Sequence, residues 1–168
     1  LPVLQQLANV LDCPISEITG ETTLGESQRF DDSFALVPVI DARASGGDGS
    51  LPGGEEPIYY NAYRRQWLSA VSTAPADKLV VLEVNGDSMF PTLAHGDHIL
   101  LDPTKTAIGT DGIYVIRKHG TVHVKRVTVN MGSDSVVIKS DNEAYETEIV
   151  HPGDVDVIGR VIWLGRQV

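Results

Sequence analysis

From Lys78 onward the chain is a succession of short runs rich in valine and isoleucine: 79–84, 97–101, 112–118, 121–129, 135–140 and 155–164. Gly, Asp, Asn and Pro separate them. β-Branched residues suit an extended, half-buried backbone, and the separators supply turns. Six such runs with few helical stretches predict a mainly β domain, a coiled antiparallel sheet with one or two short helices. "KHGT" (118–121) predicts a hairpin turn. "ALVPVI" (35–40) predicts a further strand, placed by its proline at a sheet edge or a strand start. "NAYRRQWLSAVS" (61–72) predicts a helix capped by Asn61, with Tyr63, Trp67, Ala70 and Val71 as its apolar stripe.

The N-terminal third reads differently. Leu4, Leu7, Ala8 and Leu11 recur at helical period, and Pro2 suits a first helical turn. "DCPISEI" breaks that pattern, and Ser16 caps one more helical turn. A chain that opens inside an amphipathic helix reads as part of something longer. Residues 20–34 are polar and aperiodic, as a linker is. "DARASGGDGSLPGGEEP" (41–57) holds five glycines and two prolines and predicts a flexible, exposed loop.

Charge and composition narrow the function. Thirteen basic against 23 acidic residues give a net charge of −10, which repels a phosphate backbone. This segment is therefore not the main nucleic-acid surface. No apolar run approaches the roughly 20 residues of a membrane helix. The opening "LPVLQQLANV" lacks the basic start and continuous apolar centre of a signal peptide. The single cysteine, Cys13, allows no internal disulfide and fits a cytoplasmic location.

"NGDSMFPTLAHGDHILLD" (85–102) carries the candidate chemistry. Ser88 has two readings: a plain turn residue, with Gly86 at positive φ and Asp87 capping, or a nucleophile at a strand end. Met89 and Phe90 put the serine at an apolar surface, and Pro91 stiffens a loop whose backbone N–H groups can serve as an oxyanion hole. A serine hydroxyl needs a base. None of the histidines, His95, His98, His119, His123 and His151, sits in a recognised triad pattern. Lys125, in "TVHVKRVTV", is the alternative. His123, Lys125, Val127 and Val129 share one strand face; Val122, Val124, Arg126 and Thr128 share the other. Both faces are partly apolar, as in a central strand, where burial lowers a lysine pKa. The competing reading is an edge lysine that snorkels to water.

"VNGDSMFPTLAHGDHILLD", "DGIYVIRKHGTVHVKRV", "IKSDNEAY" and "VIGRVIW", in that order, resemble the C-terminal domain of LexA-type self-cleaving repressors, over about residues 35–166. Ser88 and Lys125 stand 37 positions apart, as is typical of that family. The resemblance implies that Ser88 attacks a peptide bond of its own chain, that Lys125 is its base, and that Met89 supports the oxyanion loop. "LPVLQQLANVLDCPISEITGE" resembles the last helices of a phage-repressor helix-turn-helix domain. The implied organisation is a helix-turn-helix remnant at 1–20, a linker and cleavage region at 21–57, and a dimerisation and self-cleavage domain at 58–168. The implied partners are a second copy of the chain, operator DNA through the missing N-terminal domain, and a RecA filament in the response to DNA damage. No cofactor, metal or membrane is implied.

The resemblance implies a cut before a glycine, which in self-cleaving members is usually that of an Ala-Gly pair. "VPVIDARASGGDGS" has none, so the expected bond is Gly46–Gly47, or Ser45–Gly46 with a one-residue gap. Two alternatives stand beside self-cleavage. One is a dimer module that never cuts and is released by an antirepressor. The other is a protease acting in trans, because "GDSMFPTL" and "VKRV" also resemble bacterial signal peptidase. Other polar features read as structural. "HGDH" (95–98) points its histidines apart, and Asp97 reads as a turn acid. Arg64 and Arg65 read as a solvated helix face, "SDNEAY" (140–145) as a turn that the resemblance puts near the active site, and Trp163 as core or dimer interface.

Overall fold

Nine strands, in the order β2-β1-β3-β4-β9-β5-β6-β7-β8, make one open sheet in the computed structural model, which describes residues 33–40 and 57–166. The chain divides into two units, Leu1–Phe34 and Ala35–Val168. The account below concerns the second. The expected helices at 1–20 lie outside the described residues, as does the linker expected at 20–34 up to residue 32; its last residue, Phe34, belongs to a strand.

The strands are β1 (Phe34–Ile40), β2 (Tyr59–Arg64), β3 (Val80–Glu83), β4 (His98–Asp102), β5 (Gly112–Lys118), β6 (Thr121–Val129), β7 (Val136–Lys139), β8 (Glu148–Val150) and β9 (Asp156–Gly165). Six of the last seven occupy the valine- and isoleucine-rich runs, and β8 lies outside them. Pairings from β3 to β9 are antiparallel. β1 runs parallel to β3, so the sheet is mixed rather than wholly antiparallel. β1 is also not an edge. It lies between β2 and β3, and its register with β3 engages Val39 and Ile40, beyond Pro38. The missing N–H of Pro38 therefore costs that ladder nothing.

The helix α1 spans only Arg65–Val71; Tyr59–Arg64 is strand. Asn61 lies within β2 and is therefore not its cap. Ala70 is exposed, and Leu68 is the buried residue of the helix. Tyr63 stacks on Trp67 with centroids 5.4 Å apart, and both meet the edge of Trp163. Trp163 is thus half-buried packing of the domain itself.

β3 and β4 are buried on both faces. Val80, Leu82, Ile99 and Leu101 pack with Met89, Leu93 and Val115, while Val81 and Leu100 pack under α1 with Val37, Val39 and Leu68. This explains the unbroken apolar runs at those positions. A third cluster, Tyr114, Ile116, Val127, Val136 and Ile138, lies between β5, β6 and β7. β9 joins the halves, with Asp156–Arg160 against β5 and Arg160–Gly165 against β4. The β5–β6 turn is two residues, His119 (φ 51°) and Gly120 (φ 76°), between the pair Lys118 and Thr121. Both positive φ values match the strand twist, as the "KHGT" reading requires.

Asp102 ends β4 fully buried. Its carboxylate accepts from Ser72 Oγ (2.6 Å), Thr104 N (3.0 Å) and Thr104 Oγ1 (2.6 Å), tying the end of α1 to the sheet. Burial alone would raise its pKa; the Ser72 and Thr104 hydrogen bonds outweigh that and hold it below the ordinary 3.8. The contribution is complete above that ordinary value and is lost as the pH falls through the folded one. Asp102→Ala strands three donors and is expected to cost about 3 kcal/mol in urea unfolding near neutral pH. The gap from wild type is expected to shrink in acid.

Candidate functional site

The serine loop hangs between two glycines in the left-handed region, Gly86 (φ 90°) and Gly96 (φ 86°). Between them a turn at Asp87–Phe90 closes with Phe90 N donating to Asp87 O (3.0 Å), and Leu93 N donates to Met89 O (2.8 Å). Met89 is 1 % exposed and sits in the first core cluster. The turn is therefore pinned by a buried side chain next to Ser88, while Phe90 is exposed. Ser88 is half-buried and lines a cavity of about 340 Å³ with Met89, Val84, Val122, His123 and Val124. Among the described residues, the Ser88 hydroxyl and the N–H groups of Ser88 and Met89 make no hydrogen bond.

The far end of this loop is held by charge. Asp97, 3 % exposed, accepts from Ala94 N and from Arg166 Nε (2.9 Å), and Arg166 also donates to Thr92 O. The Arg166 guanidinium holds the Asp97 carboxyl below the ordinary aspartate range, outweighing burial. Asp97 is the turn acid that the sequence suggested, and it also ties the loop to the end of β9. His98 exchanges a hydrogen bond with Tyr59 Oη (2.9 Å), and no cluster of three metal-ligating side chains occurs among the described residues.

Lys125 lies in β6, between β5 and β7, so it is a central-strand lysine and not an edge one. Burial pushes its pKa below 10.5, Glu148 partly opposes this, and Lys118 adds to it. Its amine donates to Ser140 Oγ at 2.6 Å and lies 5.4 Å from the centre of the Tyr145 ring. It lines a second cavity, of about 470 Å³, with Ile116, Ile138, Tyr145 and Val150. No hydrogen bond joins Lys125 to Ser88, and His123 is the residue that lines both cavities.

A single turn links the two sides. Ser140 takes the Lys125 amine; Asp141 grips Arg126 through two 2.6 Å bonds; Asn142 N donates to Ser88 O (3.0 Å). Asn142 Nδ2 reaches Asp87 O (3.2 Å), and Tyr145 Oη donates to Asp87 Oδ1 (2.6 Å). "SDNEAY" is thus a turn, as read, but one whose residues touch Lys125, Arg126, Asp87 and Ser88. The register of the β6–β7 hairpin was the signal: Val129 faces Val136 and Arg126 faces Lys139, so Lys125 faces Ser140. The expected cleavage residues Ser45, Gly46 and Gly47 lie outside the described residues. Arg64 ends β2 and Arg65 opens α1, both exposed.

The domain is mainly β, with a core-anchored serine loop laced by one turn to a strand whose lysine is depressed by burial. A family model described as peptidase S24-like matches residues 38–162, and the chain belongs to that family. It is 31 % identical over 159 residues to the 26 kDa repressor protein of Escherichia phage HK022, covering 90 % of this chain and 66 % of that protein. It is 29 % identical over 153 residues to an uncharacterized HTH-type transcriptional regulator of Haemophilus influenzae, covering 88 % and 61 %. With repressor protein CI of Enterobacteria phage phi80 it shares 23 % over 156 residues, covering 88 % and 66 %. The chain thus spans slightly less than two thirds of the length of these relatives. The expected likeness to the LexA-type C-terminal domain holds. No helix among the described residues is long and apolar enough to cross a membrane.

Proposed function

We propose that this chain is the C-terminal part of a transcriptional repressor that dimerises and is inactivated when Ser88 cuts the linker of its own chain. The observation that carries the reading is Lys125: a half-buried amine, depressed by burial, fixed to the same short turn that holds the Ser88 carbonyl. With the loop docked and the amine turned toward Ser88, neutral Lys125 takes the Ser88 hydroxyl proton as Oγ attacks the scissile carbonyl. The N–H groups of Ser88 and Met89 receive the oxyanion. Lys125 then returns the proton to the leaving amine, the C–N bond breaks, and an acyl-serine remains for water to hydrolyse. The bond is Gly46–Gly47, or Ser45–Gly46.

Tethering raises the effective concentration of that bond, so control comes from whether the loop docks. A RecA filament acts by favouring the docked state. Cutting separates paired DNA-binding domains and so loosens operator binding. The experiment is to incubate the full-length protein near pH 10, or with activated RecA, and weigh the products. Two fragments parted near Gly46, absent from Ser88→Ala, are expected. An intact chain under both conditions removes self-cleavage and leaves a dimer module released by another signal.

A further inference from the structure

We propose that Ser140 is a positioning residue for Lys125, an inference that rests on the self-cleavage reading. Lysine carries its amine on a four-carbon stem with costly rotamer freedom. A base of that kind must nevertheless sit within hydrogen-bond reach of one particular proton. Ser140 Oγ lies 2.6 Å from the amine, at the end of a hairpin whose register places it opposite Lys125. A neutral amine has two N–H bonds and one lone pair. Donating one N–H to Ser140 fixes the torsion about Cε–Nζ and so fixes where the lone pair points.

The backbone around Ser140 is held on both sides of the site. Asp141 is clamped by Arg126, and Asn142 N holds the Ser88 carbonyl. Ser140 therefore reports the position of the serine loop to the amine through a rigid turn. Tyr145 from the same turn covers the amine with its ring and anchors Asp87 with its hydroxyl. Ser140 is 7 % exposed where Ser88 is half-buried, and its hydroxyl oxygen is already engaged as the acceptor of the Lys125 amine. It exchanges no proton in the reaction and acts only by holding Lys125.

The test compares full-length wild type, Ser88→Ala, Ser140→Ala and Ser140→Thr. Two readouts are taken across about pH 7 to 11: the first-order rate of cutting, and the titration of the Lys125 ¹³Cε resonance. Ser140→Ala is expected to cut about tenfold more slowly at its plateau, and Ser140→Thr to recover most of that loss. In Ser140→Ala the Lys125 midpoint moves to lower pH, because the ammonium form loses an acceptor. Wild-type rate and midpoint in Ser140→Ala overturn the proposal. So does a slower rate with an unmoved midpoint and no rescue by threonine, which marks general loosening of the fold. If wild type itself stays intact, the self-cleavage reading fails, and the Lys125 midpoint alone decides whether Ser140 positions the amine.

Discussion

Lys125→Ala in the full-length protein is expected to slow self-cleavage at least about a thousandfold at every pH, with the fold retained. Lys125→Arg is expected to be equally inactive, because a guanidinium cannot be deprotonated in the working range. The wild-type rate is expected to rise with pH and level off below the ordinary lysine value of 10.5, since burial lowers the pKa of this amine. The same shift enters stability. A lysine whose folded pKa is depressed binds fewer protons folded than unfolded, so the wild-type fold gains stability as pH rises through the folded value. Lys125→Ala lacks that gain, and its stability curve is expected to run flatter in mildly alkaline solution. Measuring both curves separates loss of the base from loss of the domain. A Lys125→Ala protein that cuts at the wild-type rate removes the residue from the mechanism.

The second large effect is structural. Gly159 sits where β9 passes from β5 to β4, and a Cβ built there would stand 2.7 Å from Asp102 O and 2.8 Å from Pro103 Cα. Those are backbone atoms of a segment already fixed by the buried Asp102, so neither strand can yield cheaply. Gly159→Ala is expected to cost about 3 kcal/mol and to lower Tm by about 10 °C. β9 carries both the ladder to β5, which orients β6 and Lys125, and Arg166 beyond it, which clamps Asp97 in the serine loop. The same substitution is therefore expected to slow cutting even at temperatures where the domain stays folded. A Tm within about 2 °C of wild type would show that β4 and β9 part more readily than this packing allows.

How much of this was legible beforehand differs by element. The runs at 79–84, 97–101, 112–118, 121–129, 135–140 and 155–164 matched strands to within about two residues, because Val and Ile between Gly, Asp and Asn say the same thing locally and globally. The reading of 61–72 as all helix missed Tyr59–Arg64. Tyr63 and Trp67 fit a helical stripe, but the tyrosines also fit an extended strand, and the alternating exposure there has period two. The parallel β1–β3 pair was invisible, since no local pattern records which distant strand lies alongside. Ser88 and Lys125 were singled out by the order of the family-like motifs; of the two readings left open for Lys125, central strand or solvated edge, the sheet supports the first. Ser140 was within reach. Extending the antiparallel register outward from the 130–135 turn brings it opposite Lys125, yet the stretch was read as a turn, and as near the active site only through relatives. Asp97 with Arg166, and Asp102 with Ser72, span 69 and 30 positions, and side-chain bonds across such distances leave no periodic trace.

The proposed pairing of Ser88 with Lys125 can be probed without relying on the linker at all. A phosphonofluoridate reacts with an activated serine hydroxyl: the Oγ–P bond forms, fluoride leaves, and the hydroxyl proton passes to the base. Peptide mass mapping of the chain after such treatment, repeated across alkaline pH, is the direct measurement. The predicted result is one adduct, on Ser88, forming faster as Lys125 loses its proton and absent from Lys125→Ala. An unlabelled Ser88, or one labelled equally fast in Lys125→Ala, contradicts the account.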